Sequence, residues 1–448
     1  MSVTQMSFTR LVFPIFVQMS LLLVIFLTDS LFLSTISDQA VAGVGSALPL
    51  LLMAIALLHA YSDPGISILG QQLAEKNQSK LSATFIVMLV TCTVIGITLT
   101  LLFLVVAEPF GGWVGLDSDA QQACYQYLWT IAPIFIMDIL FINFNSMIFA
   151  NGQTKVAMYA AFASAATNIL LNGALYMGWI PGWQLGVHEV ALATLIAQLP
   201  PIAIMGYGIF KVIGFRFNRE QVKVEDLKWA RKRILSISLP ATIEPISYNA
   251  SQLVIYSMLA ATSMASVAAY TYGKNIFVLF SYAAALAVGI GTQVVIAHHQ
   301  GSKEYEQADR RMTRSLLKFV PAIFIIATII NFLAEPILSI FTQDLELIAV
   351  GKDILMFMLV IETMKAGNYV VFPTLKGSGD VNMPVLISVI AHWVLGIGLG
   401  YYLAFVADMG VYGIMVGVAA DEALRFLANS RRWYKRYWLK NFSLAQSS

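Results

Sequence analysis

Long apolar runs closed by short polar connections set the pattern of the 448-residue chain. A helix needs about 20 apolar residues to cross a hydrocarbon core. Runs of that length fall near 9–33, 41–71, 82–106, 121–149, 156–179 and 187–212. A second set falls near 233–258, 266–296, 315–334, 348–375, 384–407 and 411–428. They are too long and continuous for barrel strands, and in lipid only helices satisfy the backbone within one segment. The pattern predicts an all-α polytopic membrane protein with twelve transmembrane helices.

The two sets repeat one another. Ala107-Glu108-Pro109 and Ala334-Glu335-Pro336 are 227 positions apart, as are Asp117 and Asp344, and Gly152 and Gly379. Pro14 pairs with Pro240, and Val41-Ala42 with Val267-Ala268, at 226. Small drifts in offset are what single-residue loop insertions produce, so two homologous six-helix bundles fill the chain. The expected division is an N-lobe over 1–210, a linker over 211–232, a C-lobe over 233–430 and a basic tail over 431–448. Two lobes of this kind suit alternating access around a central cavity, with sites at mid-depth.

Composition agrees: 58% of residues are hydrophobic and 12% charged, where a soluble domain carries about 25%. The placement of charge says more than its amount. Lys76, Lys80, Lys155, Arg216, Arg219, Lys303, Arg310, Arg311 and Lys376 lie in alternate connections, and Arg431, Arg432, Lys435, Arg436 and Lys440 in the tail. The intervening connections hold Asp38, Glu108, Asp117, Asp119, Glu335, Asp344, Glu346 and Asp408, and no Lys or Arg. The positive-inside rule therefore puts both termini in the cytoplasm, in a bacterial-type inner membrane. Cys92 and Cys124 lie in apolar surroundings and read as small buried residues.

Ionisable groups inside the runs are the functional candidates, because a charge in the bilayer interior costs roughly 2.5–3.5 kcal/mol on insertion scales. Asp29 leads, deep in the first helix toward its outer half. Hydrocarbon favours the neutral form of a carboxyl, so an acid there suits proton carriage, or Na⁺ binding with further oxygen ligands. Pro14, in the same helix, removes a backbone hydrogen bond and permits a bend. Asn168 and Asn172 are spaced i,i+4 on one face of the fifth helix, and Thr194 can add a hydroxyl from the sixth. Asp138, Asn143 and Asn145 extend the polar content of this half. The second half carries Glu244, Tyr248, Asn249 and Gln252 in the seventh helix, Lys274 in the eighth, and Glu362 with Lys365 at i,i+3 in the tenth, where they can neutralise each other.

Other signals are ordinary. Asp421, Glu422 and Arg425 read as an interfacial cluster at the end of the last helix, and His59 and His392 as single hydrogen-bonded core residues. Gly396-xxx-Gly400 and Gly413-xxx-Gly417 permit close helix contact, within one chain or between two. The tail from Arg431 to Lys440 reads as a membrane-surface anchor. The chain carries no phosphate loop, no nucleophile–base pair and no filter sequence, so an ATPase, an enzyme and a channel are all disfavoured.

With these residues in order, the chain resembles the multidrug and toxic compound extrusion family along essentially its whole length. The resemblance rests on the six-plus-six repeat, Pro14 and Asp29, Asn151-Gly152-Gln153-Thr154-Lys155 with its partner Lys376-Gly377-Ser378-Gly379-Asp380, and Gly289-Ile290-Gly291-Thr292-Gln293. It implies that Asp29, Asn168, Asn172 and Thr194 form a cation site for H⁺ or Na⁺, and that Pro14 lets the first helix bend. Where some branches carry acids in the seventh and tenth helices, this chain has Tyr248 and Lys365, with Glu244 and Glu362 one turn away.

The expected function is a secondary antiporter, monomeric and without cofactors. It would export amphipathic, cationic organic compounds in exchange for H⁺ or Na⁺, with membrane lipids and small substrates as partners and no nucleic acid. Two alternatives stay open. One is an exporter of an anionic or zwitterionic metabolite, with Lys365 or Lys274 as counter-ion. The other is a flippase for a lipid-linked precursor.

Overall fold

The computed structural model describes residues 3–216 and 222–439, and the chain divides between Ile234 and Leu235 into two compact units. Arg219 and Lys440 lie outside the described residues.

The first unit holds α1 (Phe8–Ser34), α2 (Asp38–Glu75), α3 (Gln78–Trp113), α4 (Ser118–Ile131), α5 (Ile134–Ala150), α6 (Thr154–Tyr176), α7 (Val187–Ile196) and α8 (Leu199–Tyr207). The expected fourth span is two helices, α4 and α5, bent by 48°. Pro133 at the break has no N–H to continue the ladder. The carbonyl of Ala132 beside the break accepts from the Thr100 hydroxyl at 3.2 Å and from the Phe135 amide at 3.4 Å.

The second unit is built mostly from α9 (Val224–Thr262), α10 (Met264–Phe277), α11 (Ala283–Gly301), α12 (Tyr305–Phe332), α13 (Ala334–Leu338), α14 (Leu345–Gly377), α15 (Asn382–Ile390) and α16 (Val411–Tyr434). Wider π-helical turns at 278–282 join α10 to α11, and others continue α15 through 391–399 and 402–406. The second part of the expected linker is helical, since α9 begins at Val224.

Counted with α4–α5, α7–α8, α10–α11 and α12–α13 each as one, twelve segments result among the described residues. Eight are long and apolar enough to cross a membrane, and the bent pair makes a ninth. The remaining three, α9, α14 and α16, are the helices that carry Glu244, Glu362, Lys365, Asp421, Glu422 and Arg425.

Repeated residues perform repeated tasks. Asp117 caps α4 by accepting from the amides of Asp119 and Ala120; Asp344 caps α14 by accepting from Glu346 and Leu347. Ser37 and Ser263 cap α2 and α10 in the same way. Gly152 and Gly379 both take positive φ, at 69° and 88°, where a side chain would be strained.

The two glycine pairs work inside the chain. A Cβ on Gly417 would lie 2.7 Å from the Gly400 Cα, so α16 runs backbone against backbone with the segment after α15. The tail is docked on the second unit. Arg432 pairs with Asp380, Arg436 pairs with Asp309 at 2.6 Å, and the stacked rings of Trp433 and Trp438 are fully buried. These contacts correct the reading of the tail as a simple surface anchor.

Gly417→Ala should lower the apparent melting temperature of the detergent-solubilised protein, as overpacking costs about 1–3 kcal/mol. Gly45→Ala, with nothing within 4 Å of the added carbon, should leave it unchanged. A thermal-shift assay on both variants checks this.

Candidate functional sites

In the first unit α1, α6 and α7 converge on one carboxylate. Asp29 is half-buried, while Asn168 and Asn172 are fully buried. Their i,i+4 spacing on α6 turns both amides the same way. Asn168 Nδ2 and Asn172 Nδ2 each donate to Asp29 Oδ1 at 3.0 Å, and the Thr194 hydroxyl reaches Asp29 Oδ2 at 2.8 Å. Asn168 Nδ2 also lies 3.2 Å from the Thr194 oxygen. All four residues that sequence reasoning grouped are therefore in contact. Pro14 is buried within α1, which continues through it.

The donor set defines what this cage can do. As arranged it presents three donors to the carboxyl group of Asp29. Thr194 Oγ1 also lies 3.1 Å from the Val190 carbonyl. A hydroxyl has a single hydrogen and can accept through its lone pairs. When Asp29 gains a proton on Oδ2, Thr194 can accept it and swing its own hydrogen to Val190. Protonation thus needs one hydroxyl rotation. A metal cation would need both amides to turn their oxygens inward, and of these Asn172 Oδ1 is buried without a donor.

The other first-unit candidates stand apart from this cage. Asn145 accepts from Gln18 Nε2 at 3.2 Å, tying α5 to α1. Asn143 donates back to the Ile139 carbonyl at 2.6 Å. Asp138 is buried on α5. His59 is a correction: it is half-exposed rather than core, and its Nδ1 lies 3.3 Å from Asp63 Oδ1. Asp63 was missed; its i,i+4 spacing from His59 was the available signal.

The second unit encloses a cavity of about 400 Å³ lined by Glu244, Tyr248, Tyr282, Lys365, Tyr369 and Arg425, among others. The basic groups near it are engaged. Lys365 Nζ bonds Glu362 at 3.1 Å. Lys274 Nζ donates to Gln252 Oε1 at 3.1 Å and sits over the rings of Tyr256 and Tyr270. Arg425 binds Asp421 at 2.9 Å and Glu422 at 2.5 Å, and Glu422 also accepts from Asn368 at 2.8 Å. Asp421, Glu422 and Arg425 are thus buried inside α16, not interfacial as expected. Lys376 stacks on Phe372 at 4.6 Å, both lining the cavity. Glu244 lines it with no hydrogen-bond or ion-pair partner among the described residues, and Asn249 bonds back to the Pro245 carbonyl. His392 is a core residue, as expected, with Nδ1 3.1 Å from the Ser247 hydroxyl. No cluster of three or more metal-ligating side chains occurs among the described residues.

Comparison with known proteins agrees with this architecture. A model of the family described as MatE matches residues 14–173 and 240–402. An "Uncharacterized transporter YisQ" of Bacillus subtilis is 25% identical over 97% of this chain and 95% of its own. A "Probable multidrug resistance protein NorM" of Halalkalibacterium halodurans is 25% identical over 82% and 80%. Among solved structures, one described as "Crystal structure of MATE in the bent conformation" superposes with a TM-score of 0.85 at 17% identity, covering 98% of this chain and 96% of that one. Another is described as a MOP superfamily transporter from Pyrococcus furiosus with "reverse polarity of binding pocket". It superposes with a TM-score of 0.85 at 16% identity, covering 100% and 98%. These last two likenesses speak to the fold alone.

Removing one partner of a buried ion cluster leaves uncompensated charge, at a cost of about 3–5 kcal/mol. Arg425→Leu should therefore strip several degrees from the apparent melting temperature. Lys352→Leu, which breaks the exposed pair with Glu335, should shift it far less.

Proposed function

The chain belongs to the MatE family of membrane transporters, and from this premise we propose that it is a proton-coupled antiporter exporting amphipathic organic cations. Its relatives carry multidrug-resistance names, which supports a broad substrate range. The proposed setting is a bacterial inner membrane, with the termini in the cytoplasm and Asp29 in the outer half of α1, because Lys and Arg collect on that side of the connections. The proposed working unit is a monomer.

The observation that carries the coupling reading is the Asp29 cage. Three neutral donors hold an ionised carboxylate, and one of them, Thr194, can become an acceptor by rotating onto Val190. Two states of one group, exchanged by a proton, are what coupling needs. A ligand shifts a conformational equilibrium only by its differential affinity for the two states. A proton on Asp29 and a substrate elsewhere would each favour a different arrangement of the helices. Pro14 leaves α1 one backbone hydrogen bond short and so eases a bend.

The cargo reading rests on the second-unit cavity. Lys365 and Arg425 are neutralised by their own acids, which leaves Glu244 as an unpaired carboxylate beside Tyr248, Tyr282 and Tyr369. A carboxylate among aromatic faces suits an organic cation. Lys376 at the same cavity favours a second reading, an anionic or zwitterionic cargo.

Asp29→Asn should reach the membrane at normal abundance and abolish gradient-driven ethidium efflux from proteoliposomes; normal efflux would remove Asp29 from the mechanism. A pH gradient alone should drive efflux in the unaltered protein, and a Na⁺ gradient alone should not.

Glu244→Gln should raise the half-saturating ethidium concentration about tenfold, equivalent to about 1.4 kcal/mol. Competition by organic anions but not by cations would favour the second reading.

A further inference from the structure

The first unit carries a second ionisable cluster on helices that take no part in the Asp29 cage. His59 and Asp63 lie one turn apart on α2, with Nδ1 and Oδ1 3.3 Å apart. Asp138 is buried on α5, which packs on α2 next to Asp63 through the Ser146 hydroxyl and the Ser62 carbonyl at 3.3 Å, and His59 and Asp138 are within electrostatic reach of each other. Both helices place these groups at mid-span. His59 lies 21 residues from Asp38 and 16 from Glu75, the ends of α2. Asp138 lies 20 residues from Ser118 and 12 from Ala150, the ends of the bent pair. At about 1.5 Å per residue both positions are well inside the hydrocarbon thickness.

Asp138 is the informative member. It is 5% exposed, and no described residue donates a hydrogen bond to it. The contrast with Asp29, which has three donors, is direct. A carboxylate in that position is tolerable in two ways. It can hold a proton, or it can face a charged imidazolium. Both routes place one proton on the Asp138–His59 pair. Among the described residues, the charged groups acting on His59 are Asp63 and Asp138. The buried thiol of Cys92 on α3 lies within electrostatic reach of Asp63.

The cluster also has a route to water. The side chains of His59 and Asp63 are 41% and 54% exposed. An ionisable pair at mid-span is stable at that exposure only where the surface is wet. His59 and Asp63 are thus the more exposed members of the cluster, and Asp138 the buried one. The repeat offers no copy: at the 226 offset the second unit has Ala285 and Gly289 in place of His59 and Asp63.

We propose that His59, Asp63 and Asp138 form a second proton-binding site of the first unit, separate from Asp29 and carried by α2 and α5. The transporter would then hold protons at two stations in one unit, each on its own set of packed helices. The inference is independent of the coupling role given to Asp29, and the test separates them.

The test is infrared titration of the carbonyl stretch of protonated carboxyl groups, across a pH series, on the purified full-length protein. Asp29→Asn should remove one titrating component. Asp138→Asn should remove a different one, and the double variant both. His59→Gln should displace the Asp138 component by about one pH unit or more while leaving the Asp29 component in place. An Asp138→Asn spectrum identical to that of the unaltered protein would overturn the proposal. So would a His59→Gln titration in which the Asp138 component does not move, a result that stays readable if Asp138→Asn fails to fold. Loss of the Asp29 component alone would leave the Asp29 reading standing and remove this one.

Discussion

Hydrocarbon cannot solvate charge, and that constraint organises the polar interior of this protein. Each ionisable side chain inside a span must be solvated by other side chains. The first unit does this at Asp29 with neutral donors, two amides and a hydroxyl. The second unit does it with counter-charges, joining Lys365 to Glu362 and Arg425 to Asp421 and Glu422. The two solutions behave differently. Neutral donors bring no counter-charge to the carboxylate. Paired charges fix each other, and disturbing one strands its partner.

The duplication makes the contrast sharper. The repeats keep the same caps and the same positive-φ glycines, so the backbone plan is shared. The chemistry is not. At the offset that pairs Pro14 with Pro240, Asp29 falls on Ile255, a buried apolar residue of the second unit. One copy of the plan holds an acid among neutral donors, and the other a cavity of about 400 Å³ with paired charges at its walls.

Much of this was legible in the chain because lipid imposes simple rules. Span lengths, the repeat and the shared face of Asn168 and Asn172 follow from hydropathy and helical spacing, and the family resemblance joined them to Asp29 and Thr194. What was not legible depended on partners distant in sequence or on local breaks. Asp421, Glu422 and Arg425 read as interfacial because hydropathy counts charges and cannot see that they cancel; in the fold they are buried together. The fourth span read as one helix because its apolar run hides the break at Pro133. The tail read as a free anchor because Asp380 and Asp309, which meet Arg432 and Arg436, lie 52 and 127 residues away. His59 read as a solitary core residue although Asp63, one turn further along α2, was its legible partner.

The most direct test of the central claim is linkage at equilibrium. If a proton on Asp29 and an organic cation bias the same conformational pair, each must weaken the other by the same factor. Titrating ethidium into the purified protein at several pH values and fixed Na⁺ concentration measures this. Ethidium affinity should fall as proton concentration rises, and Asp29→Asn should release about one proton fewer per ethidium bound. An affinity independent of pH in the unaltered protein, or an identical pH dependence in Asp29→Asn, would contradict it.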